Sequence, residues 1–329
     1  MGSRFLIGRL ITYMLVVWFG ITFIFVIPRL LPINPVEAML GRILSQGAYM
    51  QEEQVQALRA ALSDAFGVEG SWIQQYVGFL YRAVVSQDFG PSLAMYPTPV
   101  RDLIAQALPY TFGLLLTSVL LAWLVGNALG LLIGTMPGLR ISRLLEGVAI
   151  VFYPIPYFIL ALVLSILFSV VWKIFPLGTT IRGSGWELVS SVVYHSFLPA
   201  LSIIMVTFGW WMLSMRALSA TLMDEDFVIY GRLKGLSPLR LTMRYVLPNA
   251  MLPQVTYLAL QLGLMFNGSI VTEIVFSYPG VGSLIYTAIV QGDYNLLMGT
   301  VSISIVAVAT ATLFVDLLYP LLDPRIRHR

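Results

Sequence analysis

The sequence predicts an all-α polytopic membrane protein: six transmembrane helices, with an extracytoplasmic helical insertion between helices 1 and 2. Three observations predict it. Of the 329 residues, 58% are hydrophobic and 11% charged, against about 25% charged in a soluble globular domain. Six stretches reach the roughly 20 mainly apolar residues a helical crossing needs. Lys and Arg concentrate in alternate connections between those stretches. Helix is the expected form because backbone polar groups in lipid must be satisfied within the segment.

The six spans fall at 9–31, 108–135, 145–172, 194–216, 249–275 and 297–320. In SRFLIGRLITYML, Arg4 and Arg9 precede the first apolar run. No small-residue cleavage site follows and the run is long, so it reads as a retained signal anchor. With the N-terminus inside, the inner side holds Arg4, Arg9, Arg140, Arg143, Arg216, Arg232, Lys234, Arg240, Arg244, Arg325, Arg327 and Arg329. The short outer connections hold only Lys173 and Arg182. Both termini are therefore expected in the cytoplasm. The chain divides into 1–31, an insertion at 32–107, and a core at 108–329 with a cytoplasmic loop at 217–248.

Two amphipathic helices are legible in the insertion. Val55, Leu58, Leu62 and Phe66 share one face, and Gly67 stops that helix. Ser71 and Gln74 form a capping box, after which Trp72, Tyr76, Phe79 and Leu80 make an apolar face. These helices either cap the bundle at the membrane surface or offer a docking surface to an external partner.

Several chemistries are missing. Without cysteine there is no disulfide, zinc–thiolate or iron–sulfur site. His195 and His328, a loop and a tail histidine, have no metal-ligand spacing around them, so no metal site is expected. There is no phosphate loop, Rossmann fingerprint, H-E-x-x-H helix or G-x-S-x-G elbow. No nucleophile–base pair lies inside the bundle, so no catalytic residue is assigned and the chain is expected not to be an enzyme. Arg29, Glu146, Glu273 and Asp316 sit at or near span ends, which argues against an ion-coupled carrier with mid-membrane acids. Asn127, among the small residues of VGNALGLLIG, reads as a helix-packing residue; Gln261 is the other strongly polar residue deep in a span. Trp172, Trp186, Trp210 and Trp211 read as an interfacial belt, with sugar stacking as the alternative.

The loop EDFVIYGRLKGLSPLRLTMRYVLPNAMLP, residues 225–253, is the most basic and segmented part of the chain. Residues 222–234 form a short helix with Asp224, Glu225 and Asp226 at its positive end and Arg232 and Lys234 at the other. Gly235 fits a left-handed C-cap. Ser237 fits an N-cap and Pro238 the first helical position. In the second helix Leu239, Met243 and Val246 share one face, and Arg240 and Arg244 another. Pro248 and Pro253 mark the entry to the fifth span. The product is a helix–glycine–helix elbow, which by itself is also compatible with a positive anchor on anionic lipid.

Gly235, twelve residues, then Pro248 resembles the cytoplasmic EAA loop of ABC-importer permeases. The family's triplet falls on Ile229, Tyr230 and Gly231 and is degenerate, as in the dipeptide/oligopeptide branch. LLPINPVEAML, QDFGPSL, TPVRDLI, LPYTFGLLL, TEIVFSYPGVGSLIYTAIVQGDYNLL and VDLLYPLLDPRIR are similar to that branch in the same order. The long insertion resembles the first of its two permease subunits. The resemblance implies a type I ABC-importer permease in a bacterial or archaeal inner membrane. Implied partners are a second, homologous permease, two nucleotide-binding ATPase subunits, an extracytoplasmic substrate-binding protein and the lipid bilayer, with no nucleic acid. No cofactor is expected in this chain; ATP and Mg belong to the ATPases. Phe227, Tyr230, Gly231, Arg232, Leu233, Lys234, Gly235, Leu239, Arg240, Met243, Arg244 and Pro248 would form the ATPase-coupling loop. Glu273, Tyr278, Pro279, Gly280 and Gly282 would lie by the outer gate and the binding protein, Glu273 pairing with an arginine of a partner. Asp316, Asp323 and Arg325 would anchor the last span at the inner surface. Peptides are the first substrate class, with oligosaccharides, nickel chelates or glutathione as alternatives.

Overall fold

The computed structural model describes residues 3–30, 34–45, 50–68, 70–138, 140–181, 183–264 and 269–322. In chain order its helices are α1 (Ser3–Leu30), α2 (Pro35–Ser45), α3 (Glu52–Phe66), α4 (Trp72–Tyr81), α5 (Val100–Thr135), α6 (Arg140–Phe152), α7 (Tyr157–Ser165), α8 (Trp186–Met223), α9 (Asp226–Leu233), α10 (Pro238–Leu241), α11 (Leu247–Leu264), α12 (Ser269–Val275), α13 (Val281–Gln291) and α14 (Tyr294–Leu322). Wider π-helical turns continue α4, α7 and α10. Among the described residues there is no strand, only an isolated bridge between Pro91 and Pro99.

Among the described residues, four helices are long and apolar enough to cross a membrane: α1, α5, α8 and α14. They cover the expected first, second, fourth and sixth spans. The expected third span, 145–172, is instead α6 followed by α7 and its π extension, bent by 98°. Pro154 and Pro156 lie at the break. Neither has an N–H to give to a preceding carbonyl, so two helical bonds are lost within three residues, and the bend falls there. The expected fifth span, 249–275, consists of α11 and α12, neither of which alone meets the length and apolarity of a crossing helix. Residues 265–268 between them lie outside the described residues, as do Arg182, Asp323, Arg325, Arg327, His328 and Arg329.

The described residues fall into two compact units. One draws on Met1–Arg9, Phe112–Tyr278 and Thr310–Arg329. Its centre is a seam between α5 and α8. Gly126, Gly130 and Gly134 recur every four residues on α5, so they lie on one stripe of the helix. A Cβ at Gly126 would stand 2.5 Å from the Trp211 Cβ, one at Gly130 would overlap the Met212 carbonyl oxygen, and one at Gly134 would be 2.7 Å from the Arg216 carbonyl oxygen. Only glycine lets the two backbones approach this closely, and close approach is what drives helix association where lipid supplies no hydrophobic contrast. Trp211 is 2% exposed in this seam, so it belongs to the packing and not to an interfacial belt. Asn127, beside the stripe, is buried and donates Nδ2–H to the Trp123 carbonyl at 2.7 Å, in keeping with its expected packing role. At one end of the seam Arg216 pairs with Glu146 on α6 at 2.8 Å. Arg9 on α1 pairs with Asp316 on α14 at 2.9 Å, which brings the start of the first span and the end of the last to the same side. His195 lies within α8, where Nδ1 is 2.7 Å from the Ser191 carbonyl oxygen, and not in a loop.

The other unit comprises Leu10–Thr111 and Pro279–Ala309. Ile21, Phe25, Phe79, Ile104, Val281 and Leu296 are buried in one core. A smaller core joins α2 to α3 through Val36, Leu40, Leu62 and Phe66. The expected face of α3 is therefore the packed one, and Gly67 ends the helix at φ +59. The Ser71–Gln74 capping box is present. Phe79 is buried with Tyr76 and Leu80 packed against the core, but Trp72 is exposed.

Candidate functional site

The elbow after α8 is built by local rules. α8 runs to Met223, so residues 222 and 223 belong to it and α9 starts at Asp226. The acids at its start and Arg232 near its end suit the helix dipole. Arg232 reaches back to the Met223 carbonyl at 3.4 Å, tying α9 to the end of α8. Beyond Leu233 the chain reverses. Leu236 N–H donates to the Gly231 carbonyl at 3.2 Å, and Gly235 adopts φ +75. These are the marks of a left-handed C-terminal cap. A Cβ at Gly235 would meet nothing within 4 Å, so the requirement there is conformational. At Gly231 it is spatial: a Cβ would lie 2.5 Å from the Leu241 Cδ2. Leu241 folds over Gly231 and, with the buried Val228, closes the inside of the elbow.

Pro238 opens α10 as expected, but Ser237 makes no side-chain cap bond. The second helix also departs from its expected face. Leu239 and Met243 are exposed while Val246 is fully buried. A π-helical turn over Thr242–Val246 intervenes, with Leu247 N–H bonded to the Thr242 carbonyl. That wider turn shifts the register expected of a uniform 3.6-residue helix. Pro248, which lacks an N–H, sits inside the resulting continuous helix and does not interrupt it.

Five large apolar side chains consequently have no cover: Phe227, Tyr230 (64% exposed), Leu233 (78%), Leu239 (67%) and Met243. Lys234, Arg240 and Arg244 lie exposed among them and form no ion pair among the described residues. An exposed apolar patch with a polar rim marks an interaction surface.

The outer residues are placed differently. Glu273 is fully buried, so the expected pairing with a partner's arginine finds no exposed carboxylate here. Tyr278 is also buried; its hydroxyl is 2.8 Å from Ser196 Oγ and its N–H donates to the Glu273 carbonyl at 2.7 Å. In the second unit, Pro279 precedes Gly280, which is extended and leads into α13, and Gly282 is buried within that helix. Val281 N–H donates to Thr111 Oγ1 at 2.8 Å. An eleven-residue helix, Val281–Gln291, follows this turn and is capped by Gly292.

Two buried polar groups escaped the sequence reading. Asp293 accepts from Ser92 Oγ–H at 2.5 Å, Ala94 N–H at 2.9 Å and Leu296 N–H at 3.0 Å. It caps α14 and fastens QDFGPSL to QGDYNLL; the signal was an aspartate placed just after a glycine stop and before an apolar helix. Gln254 on α11 is fully buried and donates Nε2–H to Ser214 Oγ at 2.9 Å, while its main-chain carbonyl accepts from Trp123 Nε1–H at 3.3 Å. Among the described residues no group of acids and histidines is placed to hold a metal ion.

Residues 126–328 match the family described as binding-protein-dependent transport system inner membrane component. The chain is 29% identical to the oligopeptide transport system permease protein AppB of Bacillus subtilis (strain 168), over 94% of this chain and 95% of that one. It is 28% identical to the dipeptide transport system permease protein DppB of Escherichia coli (strain K12), over 94% of each. It is also 28% identical to the di/tripeptide transport system permease protein DppB of Pseudomonas aeruginosa (strain UCBPP-PA14), over 98% of each.

Proposed function

Since the chain belongs to the family of binding-protein-dependent transport system inner membrane components, and is a multi-pass membrane permease of that kind of transporter, we propose that it forms half of the translocation pathway of an ATP-driven importer of short peptides. The observation that carries this is the uncovered elbow. Phe227, Tyr230, Leu233, Leu239 and Met243 are exposed beside four cations in a connection between membrane-embedded helices. A nucleotide-binding ATPase seated there would bury that surface. Its closure on ATP would move the elbow, which Arg232 and Leu241 tie to the ends of α8 and α9. Such a device is a two-state element biased by ATP. Hydrolysis then belongs to the ATPases, and delivery of substrate to an external binding protein. The positive-inside rule puts the elbow and both termini in the cytoplasm. The peptide assignment is supported by the relatives, all three named for peptide transport.

The test is reconstitution with two ATPase subunits, a second permease and a binding protein in proteoliposomes. ATP-dependent peptide uptake by the full assembly is expected, with none by this chain alone. Leu239→Glu should prevent recovery of the ATPases with the membrane subunits. Uptake by the isolated chain, driven by an ion gradient, would overturn the proposal.

A further inference from the structure

A second feature lies within the unit that contains the insertion. A cleft of about 330 Å3 opens there, lined by Arg29, Asn34, Ser63, Trp72, Gln75 and Asn295 among others. Its size is at the lower end of small-molecule sites, and its lining combines an aromatic wall with a few convergent polar groups, as such sites do. Arg29 is the charged group in it. The guanidinium lies 3.6 Å over the Phe25 ring and is held by Gln75 Oε1 at 3.0 Å and by the Phe25 carbonyl at 3.1 Å. These partners are neutral, and they fix the orientation of the fork without neutralising it. A smaller cavity shares Arg29, Asn295 and Met298 with the cleft and is lined by a second cation, Arg82. Among the described residues neither arginine has a carboxylate within ion-pair distance. Asp88, on the wall of the smaller cavity, is exposed and turns Oδ1 to Gly90 N–H at 2.9 Å.

Two like charges facing partly enclosed space repel each other and are both incompletely solvated, so a bound anion relieves both terms. A planar, pre-oriented guanidinium is matched to a planar oxyanion. The geometry points to a carboxylate-binding site in this cleft, with Arg29 as the primary ligand and Arg82 as the second charge. The neighbouring Asn34, Ser63, Gln75 and Asn295 supply neutral donors and acceptors, and Trp72 an apolar wall, for the remainder of a small organic molecule. Resting on the reading of the chain as a peptide permease, the ligand is the C-terminal carboxylate of a short peptide.

The test is thermal-shift and equilibrium binding on the detergent-solubilised importer, without its binding protein. The probes are trialanine, its C-terminal amide, succinate and inorganic phosphate. Trialanine and succinate should raise the unfolding midpoint and the amide should not. Arg82→Gln, which removes a side chain with no hydrogen bond among the described residues, should weaken trialanine by about tenfold, the scale of one charge-assisted contact. Arg29→Gln should abolish binding. Equal response to acid and amide, phosphate competing as well as trialanine, no response to either carboxylate, or unchanged affinity in Arg82→Gln overturns the site. Succinate binding without trialanine binding keeps the carboxylate site and overturns the peptide as its ligand. Peptide uptake that keeps its wild-type rate and its carboxylate preference in both arginine variants overturns the site and leaves the proposed function standing.

Discussion

The α5–α8 seam and the elbow at 226–248 draw on the same residue types to opposite ends. In the seam, glycines remove volume so that Trp211, Met212 and Met215 are buried against backbone. In the elbow, glycine supplies a φ of +75 in open space, and the large apolar side chains are left outside. One region is completed by its own chain. The other is folded to completion on its inner side, through Val228, Gly231 and Leu241, and left unfinished on its outer side. The lesson is that a glycine or an exposed leucine has no fixed meaning until its surroundings are known. Volume-sensitive and conformation-sensitive glycines should fail in different assays.

The largest effect on the chain itself is expected from Gly130→Val. The added carbons meet the Met212 carbonyl and Met215 Cβ, so α5 and α8 must part. Overpacking of this kind destabilises by about 1–3 kcal/mol or more, and folded, monodisperse yield in detergent should collapse; normal yield would show the seam to be looser than described. Ser92→Ala comes next. It removes one of three donors from the buried Asp293 carboxylate, a loss of about 1–3 kcal/mol readable as a lower thermal midpoint. Gly235→Val follows, since a left-handed backbone costs an L-residue roughly 1–2 kcal/mol. Insertion and assembly should survive while ATP hydrolysis no longer drives uptake, and normal uptake would sink the coupling role of the turn. The smallest stability effect belongs to Leu233→Glu, within about 0.5 kcal/mol for an exposed site. It should nevertheless abolish capture of the ATPase subunits, and this dissociation of stability from binding is what separates elbow from seam.

Much of this was legible because it is local. The apolar runs gave four crossing helices, the 3.6-residue spacing gave the buried face of α3, and Ser71–Gln74, Gly67, Gly235 and Pro238 act within a turn of themselves. What the sequence did not disclose depends on distance or on a change of winding. A continuous apolar run concealed the 98° bend at Pro154 and Pro156, although two prolines two residues apart were its visible sign. The bond from Ser92 to Asp293 joins residues 201 apart, and no periodicity reports it. Glu273 and Trp211 were assigned to surfaces by their polarity and aromaticity, yet both are buried by contacts from remote segments. In the second helix of the elbow, the π-helical turn moved Val246 off the face that uniform spacing gives it.

That turn has a mechanical consequence. An i→i−5 closure accommodates one more residue than an i→i−4 closure at the same place. Rewinding 242–246 into ordinary helix with no residue removed would swing everything before it by about 100° about the axis of α11, whereas deleting one residue there would restore ordinary winding and leave both flanks in place. The direction in which Leu239 and Met243 point is therefore set by the winding at one spot, separately from the composition of either flanking helix. The segment works as a rotary index between α11 and the exposed apolar face of the elbow.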